Sequence, residues 1–544
     1  MISIDRRLLL RSSLLGLGAA ALPGLPAWAA IAPVTGFTHH VASGEPGPTS
    51  VLLWTRYVGR SGDSRLRVEL SERPDFARIA GGAEGVAATD RDHIAKIVVA
   101  GLTPDRWYHY RFIAPDGTIS PIGRTRTLPL GETRGFTLGV FSCSNIGFGY
   151  FNAYGHAAAR RDIDLMLHLG DYQYEYPRGE YPDAAATAAG RIVEPAGETV
   201  HLADYRARYA SYRRDPQLQA LHARFPMILM WDDHESANDS WAGGAENHDP
   251  ATEGPWDARK AAAIRAYREW MPVSDDDWAE YRIGDLAALF RPEERLTART
   301  KQLSLMATAM AGKADLTAAL TRFRDGPWSD PAHTLMGPVQ EAWFAERMRA
   351  AAKTTKWQVF AQQVNVGLTR MPAAAMDWLP KDASAGLSGY IGTAIAAAKL
   401  GLPFNMDSWN GYPAARSRML RTGLDADANL VVLSGDSHNA WAFDLSENGT
   451  AAGVEFGGHS VTSPGYEAEL KTIDPAVVAA GLVKASPELR WADTARRGYM
   501  TVALTPERVT TEWLFMDTIA TPSLAIAGRH RASVRRGARR LEGA

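Results

Sequence analysis

Four stretches of this sequence end an apolar run in side chains that bind metal ions. They are Phe136-Thr-Leu-Gly-Val-Phe-Ser-Cys143, Ile163-Asp-Leu-Met-Leu-His-Leu-Gly-Asp171-Tyr-Gln-Tyr174, Phe225-Pro-Met-Ile-Leu-Met-Trp-Asp-Asp233-His234-Glu235 and Leu430-Val-Val-Leu-Ser-Gly-Asp436-Ser-His438. Cys143 is the single cysteine of 544 residues. It can form no internal disulfide, and an exposed free thiol in an exported chain is a redox liability, so its sulfur is expected to be occupied. Asp171 follows a tight turn at Gly170 with a carboxylate able to bridge two cations, and Tyr174 can return to the same cation. A phenol, with a pKa of about 10, ligates at neutral pH mainly to a strongly acidic cation, which favours Fe³⁺ over Mg²⁺ or Ca²⁺. The competing reading of this segment is a turn whose Asp caps a helix and whose tyrosines pack.

Asp232-Asp233-His234-Glu235 places consecutive ionisable residues after a buried run, which is costly unless they face a site or water. Asp233 is expected as a metal ligand and His234 as a hydrogen-bond donor to a substrate oxygen, with Asp232 and Glu235 in supporting or surface roles. Asn238 and Asp239 offer oxygen ligands to a hard cation, or an ordinary Asn-Asp turn. Asp436 and His438, two residues apart, can both reach a metal pair. A serine esterase would use Ser437 as nucleophile, but the chain contains no Gly-x-Ser-x-Gly elbow.

Short apolar runs of this kind belong to sheets covered on both faces, and such sheets carry their sites at strand C-termini. The four clusters are therefore expected to converge. Residues 35 to about 130 instead alternate apolar and polar side chains, at Val51–Trp54, Leu66–Leu70, Ile97–Val99 and Tyr108–Phe112, between Gly, Pro and Asp turns. That pattern predicts an antiparallel β-sandwich domain over residues 31–130, with Gly131–Gly135 as linker. From Phe136 strands interleave with helical stretches such as Ala258–Met271 and Val339–Ala352, predicting a layered α/β domain over 136–520. Further strands are expected at Lys356–Ala361, Gly453–Phe456 and Tyr499–Ala503. Residues 241–330 and 371–410 read as long interruptions that shape substrate access.

Residues 1–30 carry Asp5-Arg6-Arg7, an apolar stretch from Leu14 to Leu25 and Ala27-Trp-Ala29, a twin-arginine signal peptide with its cleavage site. The mature chain is expected to pass through the twin-arginine export machinery and to be periplasmic or secreted, with no integral membrane span. The formal net charge of −2 argues against a nucleic-acid wrapper. Residues 521–544, with Arg529-His-Arg531 and Arg535-Arg-Gly-Ala-Arg-Arg540, read as a basic C-terminal tail, solvated or disordered.

The order Ser142-Cys143-Ser-Asn145, Gly170-Asp171-x-x-Tyr174, Trp231-Asp232-Asp233-His234-Glu235 and Gly435-Asp436-Ser437-His438 resembles the PhoD-like alkaline phosphatases, within the calcineurin-like metallophosphoesterases. Val41–Pro46, Val51–Arg56, Gln362–Val364 and Trp409–Pro413 support the likeness, which spans the mature chain. The resemblance implies a four-layer αββα core preceded by the sandwich. It also implies a ferric ion held by Cys143, Tyr174 and His438, a bridging Asp171, and one or more Ca²⁺ held by Asp233 and Asp436, with Asn238 as a further calcium ligand. His234 would lie beside phosphate. Gln362 stands where the family pattern suggests Asn, and nothing carries over onto residues 254–330.

The expected function is a secreted, metal-dependent phosphatase or phosphodiesterase that hydrolyses phosphate esters with a metal-activated water, with Asp171 and His234 in the catalytic centre. A phospholipase D-type phosphodiesterase of the same family is the alternative. A serine esterase on Ser437 and a non-enzymatic exported binding protein are weaker ones.

Overall fold

Short runs that are apolar throughout bury both faces when they form strands. Phe136–Phe141, Leu165–His168 and Pro226–Leu229 do so as parallel neighbours, in register at Phe141 with His168 and at His168 with Leu229. The computed structural model describes residues 35–312 and 314–543, so the leader expected over residues 1–30 lies outside the described residues.

These three strands centre a ten-stranded sheet. On one side it continues through Gly498–Leu504, Arg508–Met516, Ile526–Arg535 and Leu541–Glu542. On the other it continues through Gly36–Gly44, Ser50–Val58 and Ile94–Ala100. A second sheet runs in the order Ala279–Ile283, Ala287–Arg291, Trp357–Ala361, Leu430–Ser434, Thr450–Gly457, Ala440–Glu447, Leu489–Asp493. Leu138, Val140, Leu167 and Ile228 of the first sheet pack with Val359, Val431, Leu433 and Val454 of the second. Full burial of side chains of this size stabilises by roughly 1.5–3 kcal/mol each.

Helices cover both outer faces. Asn152–Ala159, Leu202–Tyr212, Pro216–Arg224 and Trp256–Trp270 pack on the first sheet. Gly337–Thr354, Ala385–Lys399, Pro413–Asp425 and Pro475–Ala485 pack on the second. The core is thus helix, sheet, sheet, helix, as expected.

The alternating N-terminal segments form strands too. Gly81–Ala87, Ser64–Ser71, Trp107–Ile113 and Gly123–Arg126 make a four-stranded sheet. It packs on Gly36–Gly44, Ser50–Val58 and Ile94–Ala100 through Val41, Leu53, Ile97, Val68 and Tyr108. The second layer of this sandwich belongs to the large sheet, because Gly36–Gly44 pairs in parallel with Pro226–Leu229 at Ser43 and Gly44. A Cβ on Gly44 would sit 1.9 Å from the Pro272 carbonyl oxygen, so only glycine fits at this junction.

Two expectations are corrected. The basic C-terminal segment is a strand, not a solvated end: Ala532 and Val534 are buried on one face while Arg529, Arg531 and Arg535 project from the other. Its period-two alternation, hidden by the arginines, pairs it along the whole of Arg508–Met516. The stretch 241–330 is not only an insertion, since Ala287–Arg291 pairs in parallel with Trp357–Ala361 and extends the second sheet. That strand is one more short buried run, bounded by Gly284 and Pro292.

Candidate metal centre

The four predicted clusters meet at the C-terminal ends of their strands. Cys143, Asp171 and Asp233 leave three adjacent strands of the first sheet, and Asp436 leaves Leu430–Ser434 of the second. Cys143, Asp171, Asp436 and His438 all adopt left-handed backbone conformations, with φ of 59°, 54°, 59° and 61°. Each costs about 1–2 kcal/mol for a residue with a Cβ, and such strain collects at functional turns. The loops interlock: Cys143 N–H donates to the Gly170 carbonyl at 3.2 Å and Ser144 N–H to that of Asp171 at 2.8 Å. A Cβ on Gly170, at φ 104°, would lie 2.4 Å from Asp232 Cβ, and one on Gly435 would lie 2.7 Å from Ser142 Cβ. Glycine at Gly170 lets neighbouring loops of the first sheet touch, and glycine at Gly435 lets the loops of the two sheets touch.

Three groups of ligand atoms result, each within 4.8 Å: Cys143, Asp171 and His438; Asp171, Asp233 and His234; and Asp232, Asp233 and Asp436. The Tyr174 hydroxyl donates to Asp171 Oδ2 at 2.9 Å and lies 3.2 Å from His438 Nε2. Ser463 Oγ donates to the same phenol oxygen at 2.8 Å. His438 Nδ1 sits 2.7 Å from the Pro464 carbonyl, which accepts its proton and leaves Nε2 as a lone pair turned toward Asp171.

The donors fit cations. Asp171 Oδ1, Asp232 Oδ2, Asp233 Oδ1 and His234 Nε2 are buried without a hydrogen-bond partner, which is expensive unless an ion engages them. Burial, with the Asp171 carboxylate adding, pushes the Cys143 thiol well above its ordinary pKa, so thiolate requires a cation at the sulfur. Sulfur, phenol and imidazole on one side and carboxylates on the other describe two different cation preferences around a shared Asp171.

Residues 138–513 match the family model of the PhoD-like phosphatases, and residues 26–129 match that of the PhoD-like phosphatase N-terminal domain. The chain belongs to the PhoD-like phosphatase family. Alkaline phosphatase D of Bacillus subtilis (strain 168) is 30% identical over 530 residues, which span 91% of this chain and 80% of that protein. The solved structure of PhoD superposes with a TM-score of 0.75 at 27% identity, covering 94% of this chain and 92% of that one.

In this PhoD-like phosphatase the remaining sequence-predicted residues take distinct places. Asn238 lies at the rim: its Oδ1 accepts from the Tyr176 hydroxyl at 3.0 Å and its Nδ2 donates to Glu246 at 2.5 Å. Asp239 follows it in a left-handed turn whose N–H donates to Asp233 Oδ2 at 2.7 Å. Glu235 is structural, its carboxylate accepting from the backbone N–H of Asp171, Tyr172 and Asp232 at 3.0, 2.6 and 2.7 Å. Ser437 Oγ accepts from Trp441 Nε1 at 2.6 Å, while His438 Nδ1 is engaged by Pro464. No serine–histidine pair is assembled there. Gln362 is a packing residue, bonded to Val364 and Trp409.

Sequence reasoning missed Glu175, Arg295 and Asp407. Glu175 Oε2 lies 2.7 Å from His234 Nδ1, fixing the ring so that Nε2 faces the centre. Arg295, fully buried, donates from Nε to Asp232 at 2.5 Å and from Nη1 to Asp407 at 2.8 Å, with Nη2 3.7 Å from Asp233 and 3.6 Å from Asp436. Glu175 stood one residue beyond the motif at Tyr174, and Arg295 lies in the loop that follows the apolar run Ala287–Arg291, four residues past the strand end. Burial works to lower the His234 pKa, but Asp233, Glu175 and Asp171 outweigh it and hold the ring well above the ordinary histidine value. Burial likewise works against the Asp233 carboxylate, but His234 and Arg295 outweigh it and keep its pKa low. Asp171 is raised well above the carboxylate range by burial and by Asp233, Asp232 and Glu235 around it, against the pull of His234.

Among the described residues no helix is long and apolar enough to cross a membrane.

Proposed function

We propose that this PhoD-like phosphatase hydrolyses phosphate esters at a mixed-cation centre. Fe³⁺ would be held by Cys143, Tyr174 and His438, one or more Ca²⁺ by Asp233 and Asp436, and Asp171 would be shared. Asn238 joins the calcium side if its amide turns from Tyr176. One observation carries the reading: ligand atoms from four distant segments gather within 4.8 Å of one another in groups, with carboxylate oxygens left buried and unpartnered. Such cations, when bound, neutralise the charge of the ester and lower the pKa of a water from 15.7 to about 7.

The chain's own residues do the rest. His234 presents Nε2 to the centre with Nδ1–H held by Glu175, so a protonated ring can donate to a phosphoryl oxygen or to the departing alkoxide. Arg295 braces Asp232 and Asp407 behind the reacting groups and fixes the loop that carries Asp233. Glu235 ties that loop to Asp171. The sandwich part ends near residue 130 and the catalytic part of this reading runs from residue 136 through the strand Ile526–Arg535, and the leader over residues 1–30 directs twin-arginine export to the periplasm or beyond.

Elemental analysis of protein prepared without metal supplementation or stripping tests the centre, together with a visible thiolate or phenolate charge-transfer band. Cys143→Ser is expected to lose the band and most of the iron while staying folded. A colourless, zinc-only native preparation overturns the iron assignment. Assaying p-nitrophenyl phosphate, its bis ester and phosphatidylcholine side by side separates monoesterase, diesterase and phospholipase D-type activity.

A further inference from the structure

A cavity of about 70 Å³ has Tyr174 in its wall and takes no part in the chemistry described above. Three guanidiniums line it, those of Arg178, Arg191 and Arg208, and no aspartate or glutamate does. Arg178 and Ile192 in the lining are exposed, which puts the mouth there, while Arg191 and Arg208 are more than nine-tenths buried. Arg191 gives Nη1 to Asp215 Oδ2 at 2.6 Å and Nε to the Gly149 carbonyl at 2.8 Å, and its Nη2 is left buried without a partner. Arg208 donates only to the main-chain carbonyls of Tyr174, Glu194, Pro195 and Gly197, so among the described residues it has no carboxylate in ion-pair contact. Glu175, whose field reaches it, is engaged by His234. Arg178 pairs with Glu194. Two carboxylates, both outside the lining, therefore answer three positive charges. The Tyr212 hydroxyl, also in the wall, accepts from Ile146 N–H at 3.2 Å and keeps its own proton to give. Burial pushes its pKa up to about 12, so it remains a donor at neutral pH.

We propose that this cavity is a binding site for one small inorganic oxyanion of the phosphate or sulfate class. A guanidinium buried without a counter-ion is costly, and an anion here supplies the charge that Arg208 lacks. It also accepts from Arg191 Nη2 and the Tyr212 hydroxyl, in charge-assisted bonds stronger than those a neutral water makes. The excess positive charge turns metal cations away, and the volume leaves no room for the organic group of an ester. Because Arg208 Nη1 holds the Tyr174 carbonyl, the ion steadies the loop that presents that phenol. The inference needs neither bound metal nor turnover, so it stands apart from the proposed function.

Metal-replete protein is crystallised and soaked in selenate, a sulfate analogue that anomalous scattering locates. The same protein is dialysed to equilibrium against radiolabelled sulfate at fixed ionic strength. The expected result is a selenium peak within hydrogen-bond reach of Arg191 Nη2 and the Tyr212 hydroxyl, with matching sulfate binding in solution. Tyr212→Phe removes one donor and keeps the ring, and should weaken sulfate roughly tenfold or more. Arg178→Gln, at an exposed position, should weaken it roughly threefold to tenfold through the lost charge. An anion held at the metal centre is told apart by the position of its own peak. A cavity that holds only water at saturating selenate, or selenium there without sulfate binding in solution, overturns the inference. So does unchanged sulfate affinity in both variants, with their folding confirmed by circular dichroism.

Discussion

Replacing Glu175 with Gln isolates one step of the proposed chemistry. Both side chains of the Glu175–His234 pair are fully buried, and Oε2 lies 2.7 Å from Nδ1. The other carboxylate oxygen accepts from Asn238 N–H at 2.7 Å and from Asn247 Nδ2 at 3.0 Å. Glutamine keeps the shape and can keep those two bonds through its carbonyl, but it then offers an N–H to His234 Nδ1. A ring protonated on both nitrogens finds a donor where it needs an acceptor. A hydrogen bond to a charged partner contributes about 1.5–3 kcal/mol, so turnover of p-nitrophenyl phosphate should fall roughly 10- to 150-fold. Because the carboxylate helps raise the His234 pKa, its loss should also move the alkaline limb of the kcat/KM profile to lower pH. Metal content measured on the same sample should match wild type, which separates positioning of the ring from damage to the ligand set. Turnover within about threefold of wild type, with an unmoved profile and full metal content, refutes the role given to the pair.

Arg295→Met removes a buried guanidinium, leaves Asp232 uncompensated and leaves Asp407 with Arg299 alone, so unfolding by urea should show a loss of about 3–5 kcal/mol; a loss under about 1 kcal/mol would mean that Arg295 is not the counter-ion of Asp232. His39, far from the centre, has its pKa lowered from 6.5 to about 3 by burial and by Arg56, Arg213 and Arg214. Its neutral form is the folded form, so the stability from this site is fully present above pH 6.5 and is lost as pH falls from there toward about 3. At about pH 5 that loss is about 2 kcal/mol, and His39→Gln should flatten the urea-derived stability profile by that amount between about pH 7 and about pH 5. An equally steep decline in the variant counts against it.

The site was more legible in the sequence than the architecture around it. Cys143, Asp171, Asp233 and Asp436 could be read because each ends a short apolar run, and a buried strand leaves its following residue at the sheet's C-terminal rim. Which residue orients which does not follow from such runs. Glu175 reaches His234 only after Gly170 folds the Asp171 loop against Asp232, and Arg295 arrives from the loop after Ala287–Arg291, 63 residues beyond Asp232. Both are pairings across loops, fixed by tertiary contact and invisible to local period. The C-terminal strand escaped for a different cause: Arg529, Arg531 and Arg535 dominate the composition, and only the alternate residues Ala532 and Val534 carry the burial. The bonds of Asn238 to Tyr176 and Glu246 are likewise contacts between loops that the motif does not reveal.

The parallel pairing of Gly36–Gly44 with Pro226–Leu229 means that the N-terminal part is no detachable adaptor. Cutting the chain near residue 130 would bare the backbone of the very strand that delivers Asp232 and Asp233, and an uncovered sheet edge invites pairing with other chains. Of the three strands beneath the four-stranded sheet, Gly36–Gly44 is the one tied directly to the strand that leads into the site.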